Sequence, residues 1–134
     1  MPKILVTIAV LIFGAVIPIL EISPTHVFNP DWTPHMRFHE VWQLITNSAL
    51  AALTLWLVWR RNEITLASII GLCVMGGILA SHALSGLYGG SLTYPGGLER
   101  YILGLHVTEI IPLVSVGLFV SAMIANSMKT GGQR

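Results

Sequence analysis

Four long apolar runs, separated by short polar ones, restrict this chain more than any other feature of its sequence. Ile4 to Leu20 is 17 residues without a charge, just enough to span a hydrocarbon layer of roughly 30 Å at the helical rise. Comparable runs follow at about residues 41–59, 64–87 and 101–125. In lipid every backbone polar group must be paired within its own segment, so each run is expected to be a helix. The predicted fold is therefore all-α. It is an integral membrane four-helix bundle, one transmembrane domain over residues 1–134, with both termini on the same, cytoplasmic side. With 54% hydrophobic and only 10% charged residues, against about a quarter charged in ordinary soluble domains, and a mean hydropathy of +0.76, a soluble domain is excluded.

The boundaries come from punctuation. A cleaved signal peptide is the rival for the first run, with Lys3 as its basic start. Ile17-Pro18-Ile19-Leu20 offers no small-residue cleavage site, so the run is taken as a span. Pro24, Pro30 and Pro34 divide the polar stretch 21–40. Each disfavours helix in the residue before it, so the second helix is expected to begin near Pro34. The third span carries Gly76, Gly77, Ala80 and Ser81, small enough to permit close helix packing. Residues 88–100, YGGSLTYPGGLER, read as a glycine-rich loop, and Pro112 is expected to kink the fourth helix.

Lys3, Arg60, Arg61, Lys129 and Arg134 fall on one side of this topology and only Arg37 and Arg100 on the other. The bias puts both termini in the cytoplasm and the histidine-rich stretch in the periplasm or a lumen. A net charge of +1 gives no reason to expect nucleic acid as a partner, and a single cysteine, Cys73, excludes a disulfide framework.

The polar residues are concentrated at one end. His26, His35 and His39 lie in Thr25 to Asn47, and His35, His39, Gln43 and Asn47 recur every four residues, one stripe down a helix face. His82 is about five residues before the outer end of the third span, ~7 Å deep. His106 and Glu109 are five and eight residues into the fourth, or roughly 7 and 12 Å. Glu21 closes the first helix at that same end. Ionisable groups in lipid cost about 2.5 to 3.5 kcal/mol each and need partners, and here the candidates are one another.

Imidazole and carboxylate together suit zinc, iron, copper or manganese. The expected metal ligands are His26, His35, His39, His82, His106 and Glu109. No thiolate is near, which argues against an iron–sulfur cluster. Without a metal, Glu109, His106 and His39 form an acid–base set. Gln43 and Asn47, with Trp32 and Trp42, would hold a substrate. Each element also has a plain structural role. The His106-x-x-Glu109 pair could be a buried ion pair, His82 a packed histidine, Asn29-Pro30-Asp31 a turn, and Trp32 and Trp42 interfacial anchors. Their convergence from four helices favours a site.

His26, Asn29, Pro30, Trp32, Pro34, His35, Phe38 and His39 form an H-x-x-N-P-x-W-x-P-H-x-x-F-H pattern. It resembles the signature of a family of small four-span membrane proteins of bacteria and fungi, and the resemblance carries no activity with it. The second span ending in Arg60-Arg61 and the polar, proline-bearing fourth helix are more loosely similar to the EXPERA group, the sterol isomerases and sigma-2-type receptors. That likeness implies a four-helix bundle whose acidic and histidine residues face a lipophilic pocket. The chain departs from the group in its proline-rich histidine loop.

These features lead to an expected integral membrane enzyme acting on a lipophilic small molecule, with metal-dependent redox or acid–base isomerase chemistry. Two other classes stay open. One is a non-catalytic binder of a lipophile, a metal or haem b, the last held between His82 and His106. The other is a homo-oligomer or a subunit of a larger membrane complex, with the polar cluster serving helix association.

Overall fold

The computed structural model describes residues 1–92 and 101–131. Among these residues helix dominates, at 79%, and four helices are long and apolar enough to cross a membrane. These are α1 (Pro2–Glu21), α2 (Pro34–Arg61), α3 (Ile64–Ala83) and, after a short α4 (Ser85–Tyr88), α5 (Val107–Gly131). Residues 93 to 100 of the expected glycine-rich loop lie outside the described residues, as do Arg100 and Arg134.

Local chemistry accounts for the boundaries. Pro2 opens α1, and a π-helical stretch, Ile12–Val16, ends two residues before Pro18 and contains Gly14, four residues before it. A proline inside a helix clashes with the carbonyl four residues back, and a widened turn relieves that clash. Thr33 caps α2: its Oγ1 accepts from the Met36 amide at 3.2 Å, with Pro34 as the first helical residue. This is the start expected from the prolines. α2 ends in a second π turn, Leu57–Arg61, closed by Asn62 at φ 59°, the left-handed conformation asparagine tolerates. Only Asn62 and Glu63 separate it from α3, so the two helices run antiparallel.

The fourth helix begins later than hydropathy suggested. Residues 101–106 are not helical; Tyr101–Ile102 (β1) and Leu105–His106 (β2) pair antiparallel, with Tyr101 opposite His106. The two turn residues, Leu103 and Gly104, both have positive φ (52° and 82°), the requirement of a tight type I′ hairpin. An apolar run with a glycine in it serves a hairpin as readily as a helix. Pro112 does lie within α5, fully buried.

α5 packs against both α1 and α3, and α2 against the π turn of α1. Val6, Val10 and Phe13 of α1, Val58 of α2, Met75 of α3 and Phe119 of α5 form the fully buried centre. Close approach occurs at glycines other than those expected. A side chain on Gly71 would enter the Phe119 ring, and one on Gly14 would meet Ala51, whereas Gly76 and Gly77 face open space. Large apolar side chains such as Ile19, Phe38, Ile45 and Ile124 are exposed around the outside. An apolar exterior of this extent suits a lipid environment.

Candidate functional site

The polar end of the bundle gathers Glu21, residues 22–33, the start of α2, the end of α3 and the start of α5. Residues 22–33 are a tightly bonded loop. Asn29, buried, donates from Nδ2 to the Thr25 carbonyl at 3.1 Å and accepts the Asp31 amide on Oδ1 at 2.9 Å. Arg37 of α2 reaches back, its Nε donating to the Asn29 carbonyl at 3.2 Å. The Asn29-Pro30-Asp31 segment is thus turn chemistry that fastens the loop to α2. Asn29→Ala would leave the Asp31 amide and Thr25 carbonyl without their partners, at about 1–3 kcal/mol. The expected result is faster amide hydrogen exchange across residues 22–33 with helix exchange unchanged; equal protection in wild type and variant would rule out this fastening role.

Four of the five histidines separate into three groups. His26 Nε2 pairs with Glu21 Oε2 at 3.1 Å, its Nδ1 sits 2.9 Å from Thr25 Oγ1, and its ring meets Trp32 edge-on with centroids 5.9 Å apart. His35 and His39, one turn apart and exposed, bring their Nε2 atoms to 3.0 Å. Phe38 and Trp42 complete an aromatic patch around them. His82 Nε2 lies 3.0 Å from Glu109 Oε1, tying the end of α3 to the start of α5. The expected six-member metal set does not assemble. Among the described residues no three His, Cys, Asp or Glu side chains come together in a way that could hold an ion. The three groups lie on different elements, each with its own partner.

His106 and Glu109 also differ from expectation. They do not share a helical face, since His106 ends β2 and caps α5. Its backbone N–H donates to Glu109 Oε2 at 2.9 Å, and its Nδ1 accepts the Thr108 N–H at 3.4 Å and contacts Thr108 Oγ1 at 2.6 Å. This is a capping box, with histidine in the place of serine or threonine and glutamate three residues on. Glu109 therefore has two tasks. One oxygen closes the helix end and the other holds His82.

These groups border an open cleft. Between α2 and α3 a cavity of about 630 Å³ is lined by Gln43, Asn47, Cys73, Ser81 and His82, among others. His82 and Ser85 are shared with an adjoining cavity of about 370 Å³ that includes Tyr101, His106 and Glu109. Gln43 and Asn47 are shared with a third, about 330 Å³, running between α1, α2 and α5 past Glu21, His26 and Glu40. The lower half of the α2 stripe thus faces the cleft, while His35 belongs to the outward patch. His39 and Trp42 line a shallow recess of about 310 Å³ beside Gln43 and Asn47. Trp32 packs on His26. Sequence alone did not single out Ser85, Thr108 or Tyr101. Residue type carries no signal for them, and only the hairpin and the end of α3 bring them here. No family model, curated protein or solved structure matches the chain.

Proposed function

We propose that this chain is a multi-pass integral membrane enzyme that moves a proton on a lipophilic small molecule, with Glu109 and His82 as the acid–base pair. The observation that carries this is the 3.0 Å His82–Glu109 contact, on the wall of adjoining cavities of about 630 and 370 Å³. Ligand sites for small molecules are commonly concave, largely apolar and 300–1,000 Å³ in size, with a few convergent polar groups. A carboxylate offers about four lone-pair positions, and two of Glu109's are taken by His82 and the His106 amide. It retains room to accept a proton, and the imidazole beside it can return one. Gln43 and Asn47 would orient the substrate from the opposite wall.

In this proposal membrane lipid surrounds the bundle, and the cleft opens on the periplasmic or lumenal side. Support comes from the other end, where Lys3 lies over the Trp59 ring at 5.4 Å and Arg61 over Trp56 at 5.6 Å. Tryptophans mark either membrane interface, and an excess of lysine and arginine marks the cytoplasmic one. Purified protein in lipid nanodiscs, given a total membrane lipid extract in heavy water, should introduce deuterium into a specific extract component. His82→Asn should slow that exchange by about 10²-fold, at the low end of acid–base contributions. Exchange at the wild-type rate in the variant would overturn the assignment.

Non-catalytic binding of a lipophile is the second reading, favoured by Gln43 and Asn47, whose amides have no hydrogen-bond partner among the described residues. Its haem version would require His82 to leave Glu109, and an absorbance scan lacking a Soret band would exclude it.

A further inference from the structure

His35 and His39 stand apart from the other three histidines. His26 is engaged by Glu21 and Thr25, His82 by Glu109, and His106 is buried at the start of α5. His35 and His39 are exposed one turn apart near the start of α2, with their Nε2 atoms 3.0 Å apart. Two nitrogen lone pairs that close repel, so a positive centre belongs between them, either a proton or a metal ion. Metal–imidazole nitrogen bonds are about 2.0–2.1 Å long, so this spacing subtends roughly 95° at a shared ion. That angle suits two adjacent positions of an octahedral or square-planar ion, and ~0.3 Å more separation gives the tetrahedral angle of zinc. Among the described residues no aspartate, glutamate or cysteine joins the pair as a third ligand. The donor set is then imidazole alone, which disfavours the oxygen-seeking ions Ca²⁺ and Mg²⁺.

We propose that His35 and His39 form a two-point chelate for a transition-metal ion, Zn²⁺, Ni²⁺ or Cu²⁺, with both rings binding through Nε2. Imidazole is a preferred ligand of all three. Both residues precede the apolar run that begins near residue 41, so an ion reaches them from water. Once the first ring has bound, the second binds intramolecularly, because the helix already holds it one turn away. A proton that one ring lends to the contact moves to that ring's Nδ1 or leaves to water as the ion takes its place. Two positions are filled by the chain, and the rest fall to water or to an outside donor. A recess of about 310 Å³ beside His39, walled by Trp42, Gln43, Thr46 and Asn47, leaves room for one. The start of a helix is its less favourable end for a cation, so tight binding depends on both rings together.

The test uses nanodisc-embedded full-length protein and Zn²⁺ alone as the probe, titrated in competition with a fluorescent zinc indicator. His35→Ala and His39→Ala should each weaken binding by about 10²-fold, the low end of the gain from linking two binding groups. The double variant should fall little further than either single, because one ring without the other is no chelate. Both side chains are exposed, and thermal unfolding without zinc, unchanged in the variants, confirms that they fold. In protein labelled with ¹⁵N-histidine, zinc should move the Nε2 resonances of His35 and His39 and leave those of His26, His82 and His106 in place. One ion per chain is the expected ratio; one ion per two chains also supports the chelate, with a second copy supplying two further imidazoles. Single variants that each lose only about twofold, with the double losing the product, would show two independent surface histidines and overturn the proposal. Zinc held by the double variant as tightly as by wild type, or shifts confined to Nδ1, overturns it too. So does wild type that binds no more tightly than the double variant, since the two rings then share only a proton.

Discussion

Glu109→Gln is expected to lower turnover by about 10²- to 10⁴-fold, the range general acid–base groups contribute, while the protein still inserts and folds. The amide keeps the length of the side chain. Its carbonyl oxygen can still accept the His106 N–H that closes the start of α5, and its other end still reaches His82. What is lost is the ability to take a proton. Glu109→Ala differs in kind: it removes the cap as well, at about 1 kcal/mol for a lost helix cap, and leaves His82 without its partner. The two variants therefore separate chemistry from structure. Deuterium incorporation and thermal unfolding, measured on both, form the check. If glutamine at 109 unfolds the protein as readily as alanine, Glu109 is a structural strut and the acid–base role fails.

The second large effect is expected in the core. Phe119 is fully buried on α5, its ring beside Gly71 of α3 and tilted at 48° to Phe13 of α1, centroids 6.5 Å apart. Phe119→Ala would open a void where α1, α3 and α5 meet. Such truncations cost about 3–5 kcal/mol in soluble cores, where loss of transfer free energy and the cavity both count. In a bilayer the surroundings are themselves apolar and packing is the main force between helices. The cavity contribution remains, so the low end, about 3 kcal/mol, is expected. Gly71→Ala attacks the same contact from the other side, by overpacking, at about 1–3 kcal/mol. If the two residues meet as described, Phe119→Leu in the Gly71→Ala background should recover part of that loss. Thermal denaturation of the two singles and the double in one detergent tests this; simple additivity would mean that the ring and the glycine do not touch.

The candidate site was legible in the sequence only in part. The i, i+4 spacing of His35 and His39 correctly placed those two rings together, because that contact depends on helix geometry alone. The same logic failed for His106 and Glu109. A spacing of three is compatible with a shared helical face and with a capping box, and the boundary of α5 decides between them. Tyr101-Ile-Leu-Gly-Leu-His106 is apolar enough to extend a span, and Gly104 was the only local sign of the hairpin. Gly76 and Gly77 looked like contact points because they are small, yet size permits close approach without specifying it. The close approaches are at Gly71, five residues before Gly76 on α3, and at Gly14 on α1.

By itself the sequence determined that this chain is helical, that it has four helices long and apolar enough to cross a membrane, that α2 starts at Pro34, and that the polar groups collect at one end. Those properties follow from hydropathy, proline and short-range spacing, all local along the chain. Only the tertiary structure decided which polar groups meet. Helices that are apolar almost all round carry little information about their rotation or axial register. The pairing of His82 with Glu109, the separation of His26 and His35–His39 from that pair, and the burial of His106 all depend on how α1, α3 and α5 pack around Phe119.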